Sequence, residues 1–511
     1  MQGRLSPFFI RPAKKGWMEM RRTVLLLISV ALSVVLLSGV WGTPSREAQA
    51  ITTKPNFVFI LADDMRKDDL AYMPKTISLL GDAGMSFSNA YVSNALCCPA
   101  RATIMRGQYA HNTGVWDNIN DTDGGWQGYQ SNNGNNETDN LATSLDHAGY
   151  RTALIGKYLN GYNNTTYKPP GWDKWFATFT FDYFNYDVND NGTIRHFGTT
   201  DSAYLTDVLR KQTQSFIDPS GAVAKSKPFF AYVTPLAPHA PAQPAPRHLH
   251  TTYDGVKAPR LDSFNEFEVL DKPPWIQSLP SLTSAQIADL DKLHEKRVET
   301  LQALDDLVEG VVSRLQSSGR LSNTYIVFTS DNGYHLGEHR IIQGKGRPYE
   351  EDNHMPLLIR GPGVAAGSST DKLVLNTDYF PTFSELAGIS TPSYVDGRSL
   401  QPLLTGTATD SNWRSAILLE AHQSKQGGET PTYSGILDNS GRKYIEYEGG
   451  VREFYNLGAT PCDEPTNNLG ADPCELTNIY DPATPPDDLA ARLQVLKSCA
   501  GVTCRLAEDG Q

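Results

Sequence analysis

Cysteine is scarce in this chain and unevenly placed. Six occur in 511 residues, and Cys97 and Cys98 are the only ones before Cys462. No cysteine lies near the N-terminal apolar run, which excludes a lipid-attached lipoprotein. Excess positive charge is absent too. The formal net charge is −12, which argues against broad binding to nucleic acid or to an anionic membrane. An acidic protein can still hold an anionic substrate, but only in a locally basic pocket. There is no internal repeat and no low-complexity tract, so neither a solenoid nor a disordered chain is indicated. The composition, 39% hydrophobic and 20% charged, is that of a globular protein with a large core.

The one long apolar run lies near the N-terminus. Arg21-Arg22 precede the uncharged stretch Thr23 to Val40, and Ala48-Gln49-Ala50 has the small-residue pattern of a cleavage site. Residues 1–50 are therefore read as a signal peptide, with Met18 or Met20 as candidate starts and a secreted mature chain beginning near Ile51. The alternative is an uncleaved membrane anchor, because about 18 apolar residues is the lower edge of spanning length. In an exported protein Cys462, Cys474, Cys499 and Cys504 imply two disulfides, and the sequence-local pairs are Cys462–Cys474 and Cys499–Cys504. A zinc site is the other reading, but C-x-x-C spacing and a nearby histidine are missing.

Cys97 and Cys98 stay outside that set. Pro99 follows them, and Ala102 to Arg106 reads as helix with Gly107 as its stop. Pro99 is expected at the first helical position, placing both cysteines on the turn that enters the helix. Free N–H groups there attract anions, and Arg101 adds a fork for an oxyanion. The residues alone describe a reactive thiol, or its derivative, in an anion cradle.

Asn56 to Ala62 is a continuous apolar run, expected as a buried parallel strand, and it ends in Asp63-Asp64. Tyr325 to Ser330 repeats the pattern and ends in Asp331-Asn332. In open α/β sheets ligands bind beyond the carboxyl ends of strands. Two such ends would give one rim four oxygen ligands, a set suited to a hard divalent cation. The plainer reading, that each pair caps a turn, explains one pair better than two. Thr152 to Gly156 leads to Lys157, and Pro228 to Thr234 leads to His239 through a Pro-rich loop. Lys345 lies between Gly344 and Gly346. Each alone reads as a surface cap, a solvated histidine or a hairpin tip; a shared position on the rim is what raises them.

Ser284 to Ser317 has three-to-four apolar spacing and should pack as a helix on the sheet, with Asp305-Asp306 on its solvated face. Gly114 to Asn140 reads as an ordered loop over the site or a flexible lid, and 240–285 as a second long connection. The fold class is α/β: a large mixed, mostly parallel sheet flanked by helices, spanning residues 51–410. A small α+β domain with the disulfides follows over 411–511, built from strands at Ala416 to Glu420, Tyr433 to Leu437 and Lys443 to Tyr447 and a helix near Asp488 to Ser498.

These residues resemble a known family. Cys97-Cys98-Pro99-Ala100-Arg101 is similar to the C-x-P-[SA]-R signature of the type I sulfatases. Leu61-Ala62-Asp63-Asp64, Gly156-Lys157-Tyr158-Leu159-Asn160, Ala237-Pro238-His239, Ser330 to His335, Lys345 to Glu350 and Leu358 to Gly363 continue the resemblance in order. Gly171-Trp172, Tyr204 to Leu209 and Asn323 to Ile326 point to the N-acetylglucosamine-6-sulfatase branch. The resemblance implies an alkaline-phosphatase-like fold. It implies that a maturation enzyme oxidises Cys97 to formylglycine, whose hydrate is the nucleophile, leaving Cys98 a bystander. It implies one Ca2+ held by Asp63, Asp64, Asp331, Asn332 and the modified residue 97. Lys157, His239 and Lys345 match positions that contact sulfate, and Arg101 matches the one that supports the hydrate. Many relatives carry a histidine where this chain has Leu159, so no final-step base is carried over.

The expected function is an exported hydrolase of sulfate esters on a sulfated sugar of the 6-O-sulfated N-acetylglucosamine type. Alternatives are a broad arylsulfatase, a phosphate or phosphonate monoester hydrolase of the same superfamily, and an inactive sulfated-glycan binding protein. A redox role for Cys97-Cys98 leaves Pro99 and Arg101 unexplained.

Overall fold

Asn56 to Ala62 forms β1 (Asn56–Ala62), and every position in it is buried. Its alternate residues serve two cores. Phe57, Phe59 and Leu61 enter one apolar cluster, while Val58, Ile60 and Ala62 enter another on the opposite face. A strand buried on both faces has no polar side, which is why the sequence shows an unbroken apolar run. Each large side chain so buried contributes roughly 1.5–3 kcal/mol of transfer free energy.

The computed structural model describes residues 54–163, 165–221, 225–425, 431–458, 462 and 471–511. The expected signal segment and residues 51–53 lie outside them. After β1 come β2 (Met85–Tyr91), β3 (Arg151–Lys157), β4 (Lys174–Thr178), β5 (Tyr186–Asp190) and β6 (Thr193–Phe197). Then follow β7 (Phe229–Thr234), β8 (Thr324–Ser330), β9 (His354–Arg360), β10 (Ser368–Thr370) and β11 (Val374–Leu375). They make one sheet in the order β10-β2-β9-β8-β1-β7-β3-β4-β5-β6, with β11 also on β2. The centre is parallel: β1 pairs with both β7 and β8, and β3 with both β7 and β4. Antiparallel pairs lie outside it, at β8–β9, β9–β2, β4–β5 and β5–β6. The expected mixed, mostly parallel sheet is observed.

Helices cover both faces. On one side α1 (Cys97–Arg106) supplies Ala102, Ile104 and Met105 to the core, together with Phe380 and Phe383 from a helix at Tyr379–Leu386. On the other, Leu205–Ile217 and the long helix Ser284–Ser317 pack Leu209, Leu301, Leu304, Val308 and Val311. The long helix has the bounds its periodicity predicts, and Thr283 and Gln286 form a capping box at its start.

Three sequence expectations need correction. Asp305 is not solvated: it is buried, and its carboxylate accepts the Thr76 N–H and hydroxyl, both at 2.7 Å, and the Lys75 N–H at 3.1 Å. Asp306 is held by Lys75, Arg247 and His248. The segment around Pro74 covers this face of the helix, which periodicity alone does not reveal. Gly114 to Asn140 is an ordered loop, the first of its two readings, but it contains a helix at Gly125–Ser131 that its glycines hide. Asn132 and Asn136 tie it to the backbone of Gly114, Gly128 and Thr113. The third correction concerns the start of α1 and is given with the site.

Toward the C-terminus β12 (Ala416–Ala421), β13 (Tyr433–Asp438), β14 (Arg442–Tyr447) and β15 (Arg452–Asn456) form an antiparallel sheet in sequence order. Helices at Asp487–Leu496 and Val502–Asp509 pack against it. Strand β15 and the last helix were not anticipated; Arg452–Asn456 is too short and polar to register as a strand. Disulfides join Cys462 to Cys474 and Cys499 to Cys504, the sequence-local pairing. Among the described residues no helix is long and apolar enough to cross a membrane.

Candidate active site

Helix α1 begins earlier than the proline suggests. Leu96 is the extended cap residue, Cys97 is the first helical residue, and Pro99 is the third. The first four N–H groups of a helix lack intrahelical acceptors, so a proline costs no hydrogen bond at the third position either. The Cys98 N–H is taken by Asn118 Oδ1 at 2.8 Å. Gly107, at φ 64°, ends the helix as expected.

The two acidic strand ends meet because their strands are neighbours. In the parallel pair β1–β8, Ala62 lies opposite Ser330, so Asp63-Asp64 and Asp331-Asn332 leave the sheet side by side. Asp64 adopts a left-handed conformation, φ 64°, and its N–H donates to Asp331 Oδ1 at 3.1 Å. Asn332 Nδ2 donates to Asp64 Oδ1 at 2.7 Å. Arg297, from the long helix, donates to the Asp64 carbonyl at 2.5 Å. All four metal candidates are at most 2% exposed.

Cations close over them. Lys157, the last residue of β3, places Nζ 2.7 Å from Asp63 Oδ2. It follows Gly156, whose φ of 129° would aim an added Cβ at the Thr234 carbonyl oxygen of β7, 2.1 Å away. Arg101, one turn into α1, donates through Nε to Asp331 Oδ2 at 2.8 Å. Lys345 pairs with Asp64 and stands 2.7 Å from Cys97 Sγ. That sulfur is 3.6 Å from Asp63 Oδ1 and 3.8 Å from Asp64 Oδ1. His239 places Nε2 3.6 Å from Asp64 Oδ2, stacks on Phe181 and keeps its ring 18% exposed. Every site residue chosen from the sequence therefore belongs to one cluster. Asn118, Phe181 and Arg297 join it without a sequence signal, since each owes its place to a distant segment.

Burial alone would raise the Asp63 carboxyl, but Lys157, His239, Arg101 and Lys345 outweigh it and hold the group well below the usual carboxylate range. Asp64 is lowered in the same way, chiefly by Lys345 and His239 against its burial. Asp331 is raised, because burial exceeds what Arg101 returns. Burial pushes the Cys97 thiol up to about 12 despite Lys157 and Lys345, so as an unmodified side chain it stays protonated at neutral pH and is a poor nucleophile.

The donor set fits a divalent cation. One ligand atom each from Asp63, Asp64, Cys97 and His239 lie within 4.8 Å of one another, and Asn332 Oδ1 is buried without a hydrogen-bond partner. Two other histidines are engaged elsewhere. His111 contacts Glu420 and the Cys499 carbonyl, and His335 is buried against Asp352 at 2.7 Å. Leu159 is packed in the core.

Comparison with known proteins identifies the family. A family profile described as Sulfatase matches residues 55–389, and one described as N-sulphoglucosamine sulphohydrolase, C-terminal, matches residues 337–496. The N-acetylglucosamine-6-sulfatase of Homo sapiens is 35% identical over 511 residues, which cover 93% of this chain and 90% of that protein. The extracellular sulfatase SULF-1 homolog of Drosophila melanogaster is 37% identical over 400 residues; these are 77% of this chain but only 35% of that relative's length. A solved structure of a protein in complex with its substrate D-glucosamine-2-N,6-O-disulfate superposes with a TM-score of 0.70 at 24% identity, covering 90% of this chain and 100% of the other. The phosphonate monoester hydrolase of Agrobacterium radiobacter superposes at 0.64 with 21% identity, covering 89% and 96%. At such identities the superpositions speak to fold, which is alkaline-phosphatase-like. With a family profile spanning the whole of the large sheet's strands up to β11, and a full-length relative above 30% identity, this chain belongs to the sulfatase family.

Proposed function

We propose that this sulfatase removes sulfate from a sugar of the 6-O-sulfated N-acetylglucosamine type. It works outside the cell, with formylglycine formed from Cys97 by a maturation enzyme and with one calcium ion. The observation that carries the reading is the buried position of Cys97 Sγ, between Lys345 Nζ at 2.7 Å and Asp63 Oδ1 at 3.6 Å, at the start of α1. That sulfur marks where the oxygens of the modified side chain would stand. A thiol pushed up to about 12 is unsuited to attack, whereas the surrounding charges suit an oxygen nucleophile and a sulfate group.

Asp63, Asp64, Asp331 and Asn332 would hold the ion, which supplies a Lewis-acidic centre for sulfate oxygens. The aldehyde derivative of residue 97, once hydrated, supplies the attacking hydroxyl. The chain's own side chains do the rest. Arg101 and the free N–H groups of α1 favour negative charge at residue 97. Lys157 and Lys345 set positive charge on two sides of the sulfate and neutralise what develops as the ester bond breaks. His239 Nε2 or Lys345 Nζ would hold the proton that leaves with the alcohol, and the His239 ring is partly exposed to solvent. Export is supported by Arg21-Arg22, the Thr23 to Val40 run and Ala48-Gln49-Ala50, and by two disulfides.

The test is sulfate release from 6-sulfated N-acetylglucosamine, 4-nitrophenyl sulfate and 4-nitrophenyl phosphate, after expression with a formylglycine-generating enzyme. Sulfate esters should turn over, the phosphate should lag far behind, and excess chelator should stop the reaction until calcium is restored. Mass spectrometry of the peptide bearing residue 97 should show the aldehyde. Full activity with an intact thiol would sink the formylglycine reading, and preference for the phosphate would favour the monoester-hydrolase alternative.

A further inference from the structure

A second cavity, about 600 Å³ in volume, opens between the loop after α1 and the C-terminal sheet. Its walls include Trp116 and Asp117 from the loop, His422 and Lys425 after β12, and Glu446 and Arg452 from β14 and β15. Trp116 and His422 stack with ring centroids 3.7 Å apart and planes within 5°, forming one aromatic slab. His422 is exposed and Trp116 half-buried. No step of the sulfate chemistry uses any of these residues.

The cavity is tied to the reacting centre through three consecutive residues. Trp116 and Asp117 face it, and Asn118 accepts the Cys98 N–H at 2.8 Å, next to Cys97. Asp117 fixes both walls, accepting the Ile119 N–H at 2.9 Å within the loop and the Lys425 N–H at 2.8 Å across the cavity. The slab is therefore held in register with the start of α1.

Its charges narrow the ligand. Lys425 is paired with Asp121 and Asp123, Lys497 with Glu446, and Arg452 Nε lies 3.6 Å from Glu446. Cations already matched to carboxylates offer little to a second sulfate. An aromatic face rimmed by carboxylates and amides instead suits a pyranose ring, which presents an apolar C–H face and a rim of hydroxyls. Resting on the sulfatase reading above, we infer that the Trp116–His422 slab is the wall of a subsite for an unsulfated sugar ring flanking the sulfated residue.

Wild type, Trp116→Ala, Trp116→Phe and His422→Ala would be compared on 4-nitrophenyl sulfate, on 6-sulfated N-acetylglucosamine and on a trisaccharide bearing that sugar at one end. Wild type should prefer the trisaccharide over the monosaccharide in kcat/KM. Trp116→Ala and His422→Ala should each lower kcat/KM for the trisaccharide by about tenfold, mostly through KM, and leave the aryl sulfate within about twofold. Trp116→Phe should recover most of the loss. Equal losses on all three substrates, or no loss on the trisaccharide, would overturn the subsite. Calorimetric titration with the unsulfated trisaccharide reads the subsite without turnover: wild type should bind it and Trp116→Ala should not. Failure of wild type to cleave any sulfate would count against the sulfatase reading alone, while absence of this binding would count against the subsite alone.

Discussion

This molecule holds two clusters of buried charge, and they are built differently. At the rim of the large sheet, Asp63, Asp64, Asp331, Arg101, Lys157 and Lys345 converge with Asn332 Oδ1 unpartnered and His239 reaching solvent. Near the C-terminus, Arg414 pairs with Asp378 and Glu508, Arg398 pairs with Glu508, and the Tyr109 hydroxyl donates to the same carboxylate. The second cluster is closed: Arg414, Asp378 and Glu508 are fully buried and join the C-terminal sheet to the main body. The first has an open side. Paired charge of equal burial serves attachment where it is sealed, and chemistry where a ligand can still enter.

That contrast predicts which changes cost activity and which cost stability. The largest effect should come from Cys97→Ala, which should lower kcat by at least about 10³-fold while Cys98→Ala stays near wild type. Equal loss in both would mean the wrong thiol was chosen. Lys345→Ala should reduce kcat/KM by about 10² to 10³-fold with little change in melting temperature, since it removes charge at an open rim. A matching fall in stability would erase the distinction between the clusters. Arg414→Met should do the reverse. Denaturant titration should show a loss of about 3–5 kcal/mol from stranding Asp378 and Glu508, with turnover per folded molecule unchanged.

The smallest effect concerns His111, which links the short helix after α1, Ala110–Thr113, to Glu420 on β12. Burial alone would lower this imidazole, but Glu420 outweighs it and raises it from 6.5 to about 9. A raised folded-state value means the protonated pair stabilises fully below about pH 6.5 and loses that contribution as pH climbs through about 9. Melting curves from pH 6 to 10 should therefore converge between wild type and His111→Gln at the alkaline end. A constant gap would remove the titration from the account.

How much of this was legible in the sequence depends on how local the cause is. Strands β1, β3, β7 and β8 announce themselves because burial on both faces writes an unbroken apolar run. Their shared ends then collect Asp63, Asp64, Lys157, Asp331 and Asn332 on one rim. The start of α1 was misjudged by two residues, because Pro99 is tolerated anywhere in the first turn. Asp305 was misread because its partners, Lys75 and Thr76, lie more than 200 residues away in sequence. The slab of Trp116 and His422 had no signature for the same reason, as two aromatic rings from separate segments meet only in the folded chain.

The positive φ of Gly156, on β3 beside β7, has a consequence for how such a protein can diversify. Even a methyl group there would strike the Thr234 carbonyl at 2.1 Å, so any side chain must wedge the strands apart and carry Lys157 away from Asp63. The end of β3 thus has no small step available at this position. The cavity-lining positions Trp116, Asp117, His422 and Lys425 are not glycines held in that way. Change is therefore easier at those side chains than at Gly156, where it would be felt at Lys157.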